Sequence, residues 1–191
     1  MRFFDCPISP IADTRRSRIL HTLITAILSL CILANMVFIF EMSTEDKTES
    51  SDRSGEITDV VVDVVYPDFD QRPIAEQESI FQRVHNFIRK LAHFSEFAIL
   101  GFLTALLASH LAARFSSVTT IIQWFVPAGF CLVYAAADEI HQIFTERGAA
   151  VRDVLLDFAG ALCGVLVARV AVWIACMIAH KLNERKGGDV V

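Results

Sequence analysis

The chain of 191 residues has few charged side chains, and it lacks any excess of basic charge. Charged residues make up 20% of the sequence against 54% hydrophobic residues, and the mean hydropathy is +0.48. Such a composition is typical of integral membrane proteins and excludes a disordered or collagen-like chain. The net charge of -5 disfavours a nucleic-acid-binding surface, which requires a basic patch. We therefore expect a membrane protein with no nucleic-acid partner.

Common metal and hydrolase motifs are also missing. The five cysteines include no Cys-x-x-Cys pair, so we expect small buried residues in helices and no disulfide framework. The sequence contains neither His-Glu-x-x-His nor Gly-x-Ser-x-Gly, which are typical of zinc hydrolases and serine hydrolases. These absences predict that the protein holds no metal and no cofactor.

Long apolar stretches dominate the rest of the sequence. We predict four transmembrane helices, at residues 19–40, 91–111, 118–137 and 154–174. The first stretch contains no charge over about 22 residues, which at about 1.5 Å per residue crosses a hydrocarbon core of roughly 30 Å. Because no small-x-small cleavage site follows it, we expect a retained span and no signal peptide. The predicted fold is an all-α membrane bundle.

Basic residues predict the orientation of the bundle. Those near the spans are Arg15, Arg16, Arg18, Arg114, Lys181, Arg185 and Lys186. Because basic flanks stay on the cytoplasmic side, both termini, residues 1–18 and 175–191, are predicted to be cytoplasmic in a multi-pass protein of the cell membrane. Arg169 lies within the fourth span, so we expect its side chain to reach from the inner end towards the membrane surface.

The segment of residues 41–90 is predicted to be an acidic extracytoplasmic loop. It carries twelve acidic and six basic residues, so its charge of -6 accounts for the negative charge of the whole chain. Its serine-rich start predicts a solvated stretch. The five valines within residues 60–65 predict a short extended segment. From Ile74 to Leu91 apolar residues recur at helical spacing, which predicts an amphipathic helix lying at the membrane interface before the second span.

Three polar clusters lie at ends of spans that the predicted topology places on the outer face. Glu96 and Asp157 lie one to two turns inside their spans, where ionisable groups are costly unless they pair or line a functional cavity. We therefore predict one outward-facing, ligand-binding polar pocket. Its candidate residues are Lys90, His93, Glu96, Asp138, Glu139, Gln142, Arg147, Asp153 and Asp157.

The fourth span also contains the pair Gly160 and Gly164, four residues apart. Small residues at this spacing let another helix approach closely, so we predict packing on the second or third span. Such packing would bring Asp153 and Asp157 towards the basic residues Lys90 and Arg147.

Several motifs follow one another in a fixed order. They are Phe40-x-x-Ser43 with the acidic loop, Arg89-Lys90-Leu91-Ala92-His93-Phe94-Ser95-Glu96-Phe97, Asp138-Glu139-x-His141-Gln142-x-Phe144, Arg147-Gly148, and Asp153-Val154-Leu155-x-Asp157-x-x-Gly160. From about Phe40 to Gly164 the sequence resembles the VanZ-like membrane proteins, which implies a VanZ-like core of three spans at residues 91–174. The founding member of that family is associated with teicoplanin resistance, so the resemblance implies an envelope role without implying a reaction. Unlike the usual family pattern, His141 stands at a varied position and Asp157 at a place often filled by Asn.

The leading hypothesis is a non-enzymatic envelope protein that binds an anionic lipid-linked or cell-wall-related ligand. Basic groups at Lys90, His93, Arg147 and Arg152 would form the anion site, with the carboxylates holding them in place. The expected partners are membrane lipid and a lipid-linked cell-wall precursor or an envelope protein.

Two alternatives stay open. A membrane-embedded metal-dependent hydrolase would use the pairs His93-x-x-Glu96 and Asp138-x-x-His141, although the neighbouring basic residues would repel a cation. A purely structural protein would use the polar groups as a salt-bridge network and the acidic loop to recruit a partner. A channel or transporter is disfavoured, because the first span is uncharged and the polar residues gather at one end.

Overall fold

A computed structural model of the protein describes residues 15–44, 47–115, 119–144 and 151–188. The described residues form five α-helices and one short 3-10 helix, and they contain no β-strand. The helices are α1 (Arg15–Thr44), α2 (Lys47–Val65), α3 (Ile74–Arg114), α4 (Thr120–Phe144) and α5 (Val151–Gly188), with the 3-10 helix at Phe69–Gln71. The predicted all-α fold is confirmed.

Four of these helices are long and apolar enough to cross a membrane. They cover Arg15–Thr44, Ile74–Arg114, Thr120–Gln142 and Val151–Leu182, and these ranges match the four predicted spans. Large apolar side chains point away from the bundle on its outer surface; Leu30, Phe125 and Val133 are 66%, 72% and 71% exposed. A surface of this kind is unfavourable in water and suits lipid contact. The chain is therefore a multi-pass membrane protein.

Helix α3 is the centre of the bundle and packs most extensively on α5. A Cβ atom at Gly160 would overlap the backbone carbonyl of Phe94, and one at Gly164 would overlap that of Ala98. Gly101 faces the backbone of α5 in the same way. The predicted small-residue contact is confirmed, and its partner is the second span, so α3 and α5 approach backbone to backbone.

An apolar layer closes the bundle below its polar end. Ile39 of α1, Phe97 of α3, Ala135 of α4 and Ala161 of α5 are all fully buried and belong to one cluster. In each helix the layer residue lies within about one turn of a polar residue of the candidate pocket or of Ser43. The layer therefore separates the polar end of the four helices from the rest of the bundle.

The segment of residues 41–90 differs from its prediction in one respect. The valine-rich stretch is helical and lies in α2, where Thr58 and Val62 are buried, as is Ile80 of α3. The extended segment predicted there was wrong, because α2 packs along α3. A lone strand would leave its backbone groups without partners, whereas a helix satisfies them internally.

The amphipathic stretch and the second span are one continuous helix, α3, of 41 residues. At about 1.5 Å per residue its length is roughly 60 Å, about twice the thickness of a hydrocarbon core. The predicted turn between an interfacial helix and the span is not found. Helix α2 and the first half of α3 instead form a helical hairpin beyond the polar end of the bundle.

Arg169 lies inside the bundle with only 4% of its surface exposed, so the prediction that it reaches the membrane surface was wrong. Its Nη1 atom donates to the Ser109 hydroxyl at 2.9 Å and to the Gln123 side-chain oxygen at 2.5 Å. Its guanidinium lies 5.6 Å from the centre of the Trp124 ring. Burial is tolerated because α3 and α4 supply acceptors for this charge within the bundle.

The cysteines follow the prediction in part. Cys131 is a free, fully buried residue, whereas Cys31 and Cys163 are free and exposed. Cys176 is disulfide-bonded, and its partner lies outside the described residues, so the expectation of unpaired cysteines was wrong at this position.

Candidate functional site

The polar ends of α1, α3, α4 and α5 meet at one end of the bundle. Eight of the nine predicted site residues lie in the described part of the chain: Lys90, His93 and Glu96 on α3, Asp138, Glu139 and Gln142 on α4, and Asp153 and Asp157 on α5. The prediction for Arg147 falls outside the described residues. The packing of α5 against α3 through its glycines brings the residues of these two helices together.

The centre of the site is formed by His93, Asp138 and Asp157. Each of the three offers one nitrogen or oxygen atom, and these atoms all lie within 4.8 Å of one another. Asp138 and Asp157 are 4% and 3% exposed, and His93 is half-buried. Three helices thus bring an imidazole and two carboxylates to one point, although the three residues are far apart in the sequence.

The Asp138 carboxylate is held by two donors on one of its oxygens. Its Oδ2 atom accepts hydrogen bonds from the Ser43 hydroxyl and the Gln142 amide, both at 2.9 Å. Its Oδ1 atom is buried and accepts no hydrogen bond from the described residues. Ser43 reaches the site because the Tyr134 hydroxyl, donating to the Met36 carbonyl at 2.6 Å, ties α1 to α4. One oxygen of Asp138 is fixed and the other remains available.

Further buried carboxylates surround this centre. Glu96 is 8% exposed; its Oε2 atom lies 3.6 Å from His93 Nδ1 and makes no hydrogen bond within the described residues. Glu139 is 5% exposed. No hydrogen bond or ion pair joins Asp157 to another residue in the described ranges. Four acidic side chains are thus withdrawn from water at one end of an apolar bundle, which is costly unless positive charge is near.

A small cavity of about 30 Å³ opens beside these acids. Its lining residues are Arg89, Lys90, His93, Glu139, Gln142, Asp153, Leu156 and Asp157. At its rim the Lys90 ammonium pairs with Asp153 Oδ1 at 3.1 Å, which is the contact expected from packing the fourth span on the second. The volume holds about two water molecules, so a larger ligand would contact the cavity only at its mouth.

Two site residues were missed by the sequence prediction. Ser43 is uncharged, so the clustering of ionisable residues does not indicate it. It does stand in the first of the motifs that resemble VanZ-like proteins. Arg89 lines the cavity next to Lys90. His141, by contrast, packs against Phe40 with ring centres 4.5 Å apart and ring planes tilted by 39°, and it does not line the cavity. The imidazole close to Asp138 is that of His93.

Comparison with known protein families identifies the same family that the motifs resemble. A family model described as VanZ/LLP1 matches residues 20–173, which covers two of the four spans in full, most of the other two, and the described residues of the site. No curated protein and no solved structure matches the chain significantly. Because the family model covers most of the sequence, the chain belongs to the VanZ/LLP1 family.

Proposed function

We propose that the protein binds the phosphate group of an anionic, lipid-linked envelope compound at the polar end of its bundle. The observation that carries this proposal is the cavity mouth, where Arg89 and Lys90 stand at the end of the membrane spans. Phosphate groups of membrane lipids lie at this depth, and guanidinium and ammonium groups bind them with charge-assisted hydrogen bonds.

The two basic groups differ in their availability. Lys90 is fixed by its ion pair with Asp153. Arg89 is half-buried, and no hydrogen bond or ion pair joins it to another residue in the described ranges. An arginine fork matches two phosphate oxygens at once. Arg89 is therefore the main phosphate-binding group in this proposal, and Lys90 supports it.

The surroundings of the mouth suit a ligand with an apolar chain. Ile140 directly follows the lining residue Glu139 in the sequence and is 57% exposed. Leu155 directly precedes the lining residue Leu156 and is 60% exposed. A hydrocarbon chain lying along these side chains would keep its phosphate at the mouth, because the cavity itself is too small to admit it.

The proposed site faces the outside of the cell. The basic residues near Arg15, Arg114 and Lys181 favour cytoplasmic locations for those ends of the helices. The polar end of the bundle lies at the opposite ends of the same helices. This side of the membrane is where lipid-linked cell-wall precursors are used, and binding them there is the route by which the protein would contribute to glycopeptide resistance.

The test is a binding measurement with the full chain in detergent, with polyprenyl phosphate as probe and the uncharged polyprenol as control. We expect saturable binding of the phosphate form and at least a tenfold loss of affinity in Arg89→Ala. The matched control is Arg83→Ala, an exposed arginine on the same helix, which should bind like the wild type. Equal binding of polyprenol, or unchanged affinity in Arg89→Ala, would refute the proposal.

A cellular test follows from the same site. Arg89→Ala and Lys90→Ala should abolish any glycopeptide-resistance phenotype of an expressing strain while the amount of protein in the membrane stays constant. A parallel loss of abundance would assign these residues to folding.

A second candidate, a membrane-embedded hydrolase, is favoured by the meeting of His93, Asp138 and Asp157 beside Glu96. An imidazole and several carboxylates at one point can accept a proton from an attacking water. The measurement is release of phosphate from polyprenyl diphosphate by the purified protein, with Glu96→Gln as the inactivating variant. If no phosphate is released above the level of Glu96→Gln, the protein binds without hydrolysis.

A further inference from the structure

The three side chains at the centre of the site are arranged as ligands of one ion. We propose that His93, Asp138 and Asp157 bind a divalent cation of the manganese or zinc type beneath the phosphate-binding mouth. This goes beyond the proposed function, because the cation would bind whether or not a lipid is present.

The distances fit a single ion. Nitrogen and oxygen ligands lie about 2.0–2.2 Å from such a metal, so two ligands of one ion are at most about 4.4 Å apart. The three atoms here lie within 4.8 Å of one another. A contraction of the cluster would bring them to the separation of about 3–3.5 Å expected for ligands of one ion that are not opposite each other. The adjoining cavity of about 30 Å³ leaves room for water in the remaining coordination positions.

Asp157 gives an independent indication of a ligand. Its side chain lines the cavity, and the residue is only 3% exposed. No hydrogen bond or ion pair joins it to another described residue. In a salt-bridge network each buried acid would have a basic partner. Lys90, which lines the same cavity, pairs with Asp153 instead. A carboxylate left in this state inside a bundle is typical of a site that receives a cation.

The support of Asp138 has the form expected around a metal ligand. Ser43 and Gln142 hold its Oδ2 atom, and the buried Oδ1 atom has no hydrogen-bond partner within the described residues. Partners of this kind orient a ligating carboxylate so that its other oxygen faces the ion. Glu96 adds another buried carboxylate, whose charge a divalent cation would offset.

The donor set selects the class of metal. One imidazole with carboxylates suits manganese or zinc, whereas calcium and magnesium prefer oxygen ligands alone. The repulsion expected from Lys90 is reduced by its ion pair with Asp153 at 3.1 Å. Arg89 remains as one positive charge among the lining residues, and it is outnumbered by the buried carboxylates of Glu96, Asp138 and Asp157.

The test uses the full chain in detergent, stripped with chelator and titrated with Mn²⁺ or Zn²⁺ alone. We expect close to one equivalent to bind, and at least a tenfold loss of affinity in Asp157→Asn, which keeps the side-chain shape. Asp63→Asn, which removes an exposed carboxylate on α2, is the matched control and should bind like the wild type. Failure of the wild type to bind either metal, or equal affinity in Asp157→Asn, would overturn the proposal.

A second variant guards against a folding artefact. Ser43→Ala leaves all three proposed ligands in place and removes one donor to Asp138, so we expect a several-fold weaker affinity with the metal still bound at one equivalent. Unchanged affinity in Ser43→Ala together with a misfolded Asp157→Asn would count against the site. Because the metal is measured without lipid, a failure of phosphate binding would leave this result unaffected.

Discussion

Replacing Asp157 by Asn should change stability with opposite signs in the absence and presence of metal. The side chain is almost completely buried, and its oxygen lies within 4.8 Å of an Asp138 oxygen. In the metal-free protein, at a pH high enough to ionise both groups, the two carboxylates repel each other, so removing one charge should stabilise the fold. In the metal-bound protein the same change removes a ligand, so the stabilisation by metal should be lost.

The size of the effect follows from the separation of the charges. At an effective dielectric constant of about 20, two ionised groups no more than 4.8 Å apart repel by at least about 3.5 kcal/mol. For a chain of this length, about 3 kcal/mol corresponds to a Tm increase of roughly 6–12 °C. In the wild type, free metal at about 100 times its Kd adds about 2.7 kcal/mol, an increase in Tm of similar size.

The assay is thermal unfolding in detergent, with chelator and then with saturating Mn²⁺, followed through the two tryptophans. We expect Asp157→Asn to melt above the wild type in chelator, and the wild type alone to gain stability from metal. Asp63→Asn should follow the wild type in both conditions. If Asp157→Asn melts below the wild type in chelator, Asp157 has a structural role, and if metal stabilises both proteins equally, it is not a ligand.

Other substitutions test the supports of the site and the bundle. Ser43→Ala should lower the free energy of unfolding by about 1–2 kcal/mol, because Asp138 loses one of its two hydrogen-bond donors. Chemical or thermal unfolding would measure this loss of stability. Gly164→Ala should reduce the folded yield in size-exclusion chromatography by pushing α5 away from α3, whereas Gly129→Ala, where the space is open, should leave it unchanged. Arg169→Ala should destabilise the protein by about 2–4 kcal/mol, because two buried acceptors lose their donor, with a smaller loss in Arg169→Lys; equal stability of the three proteins would contradict the pairing described above.

Much of the bundle could be predicted from the sequence because its signals are local. Four long apolar stretches predicted the number of spans, and the spacing of Gly160 and Gly164 predicted the close helix contact. The ion pair of Lys90 with Asp153 followed from that contact. Each of these predictions needed only the helical repeat and the thickness of the bilayer.

The remaining features depend on contacts between distant segments. The valine-rich stretch has strong β propensity, but its packing along α3 makes it helical. The partners of Arg169 come from two other helices, so its burial has no local signal. Ser43 is neutral and lies at the end of α1, and the lack of a basic partner at Asp157 depends on how α5 packs against α3. These features depend on tertiary contacts, which the periodicity of the sequence does not reveal.

The proposed site requires that the polar end of the bundle face the outside of the cell. Labelling of single cysteines in a cysteine-free background, with a membrane-impermeant maleimide on intact cells, tests it directly. We predict that Lys90→Cys is labelled from outside, that Glu96→Cys is shielded by the bundle, and that Lys181→Cys is labelled only after the cells are opened. Labelling of Lys181→Cys in intact cells, with Lys90→Cys protected, would contradict the proposed outward-facing site.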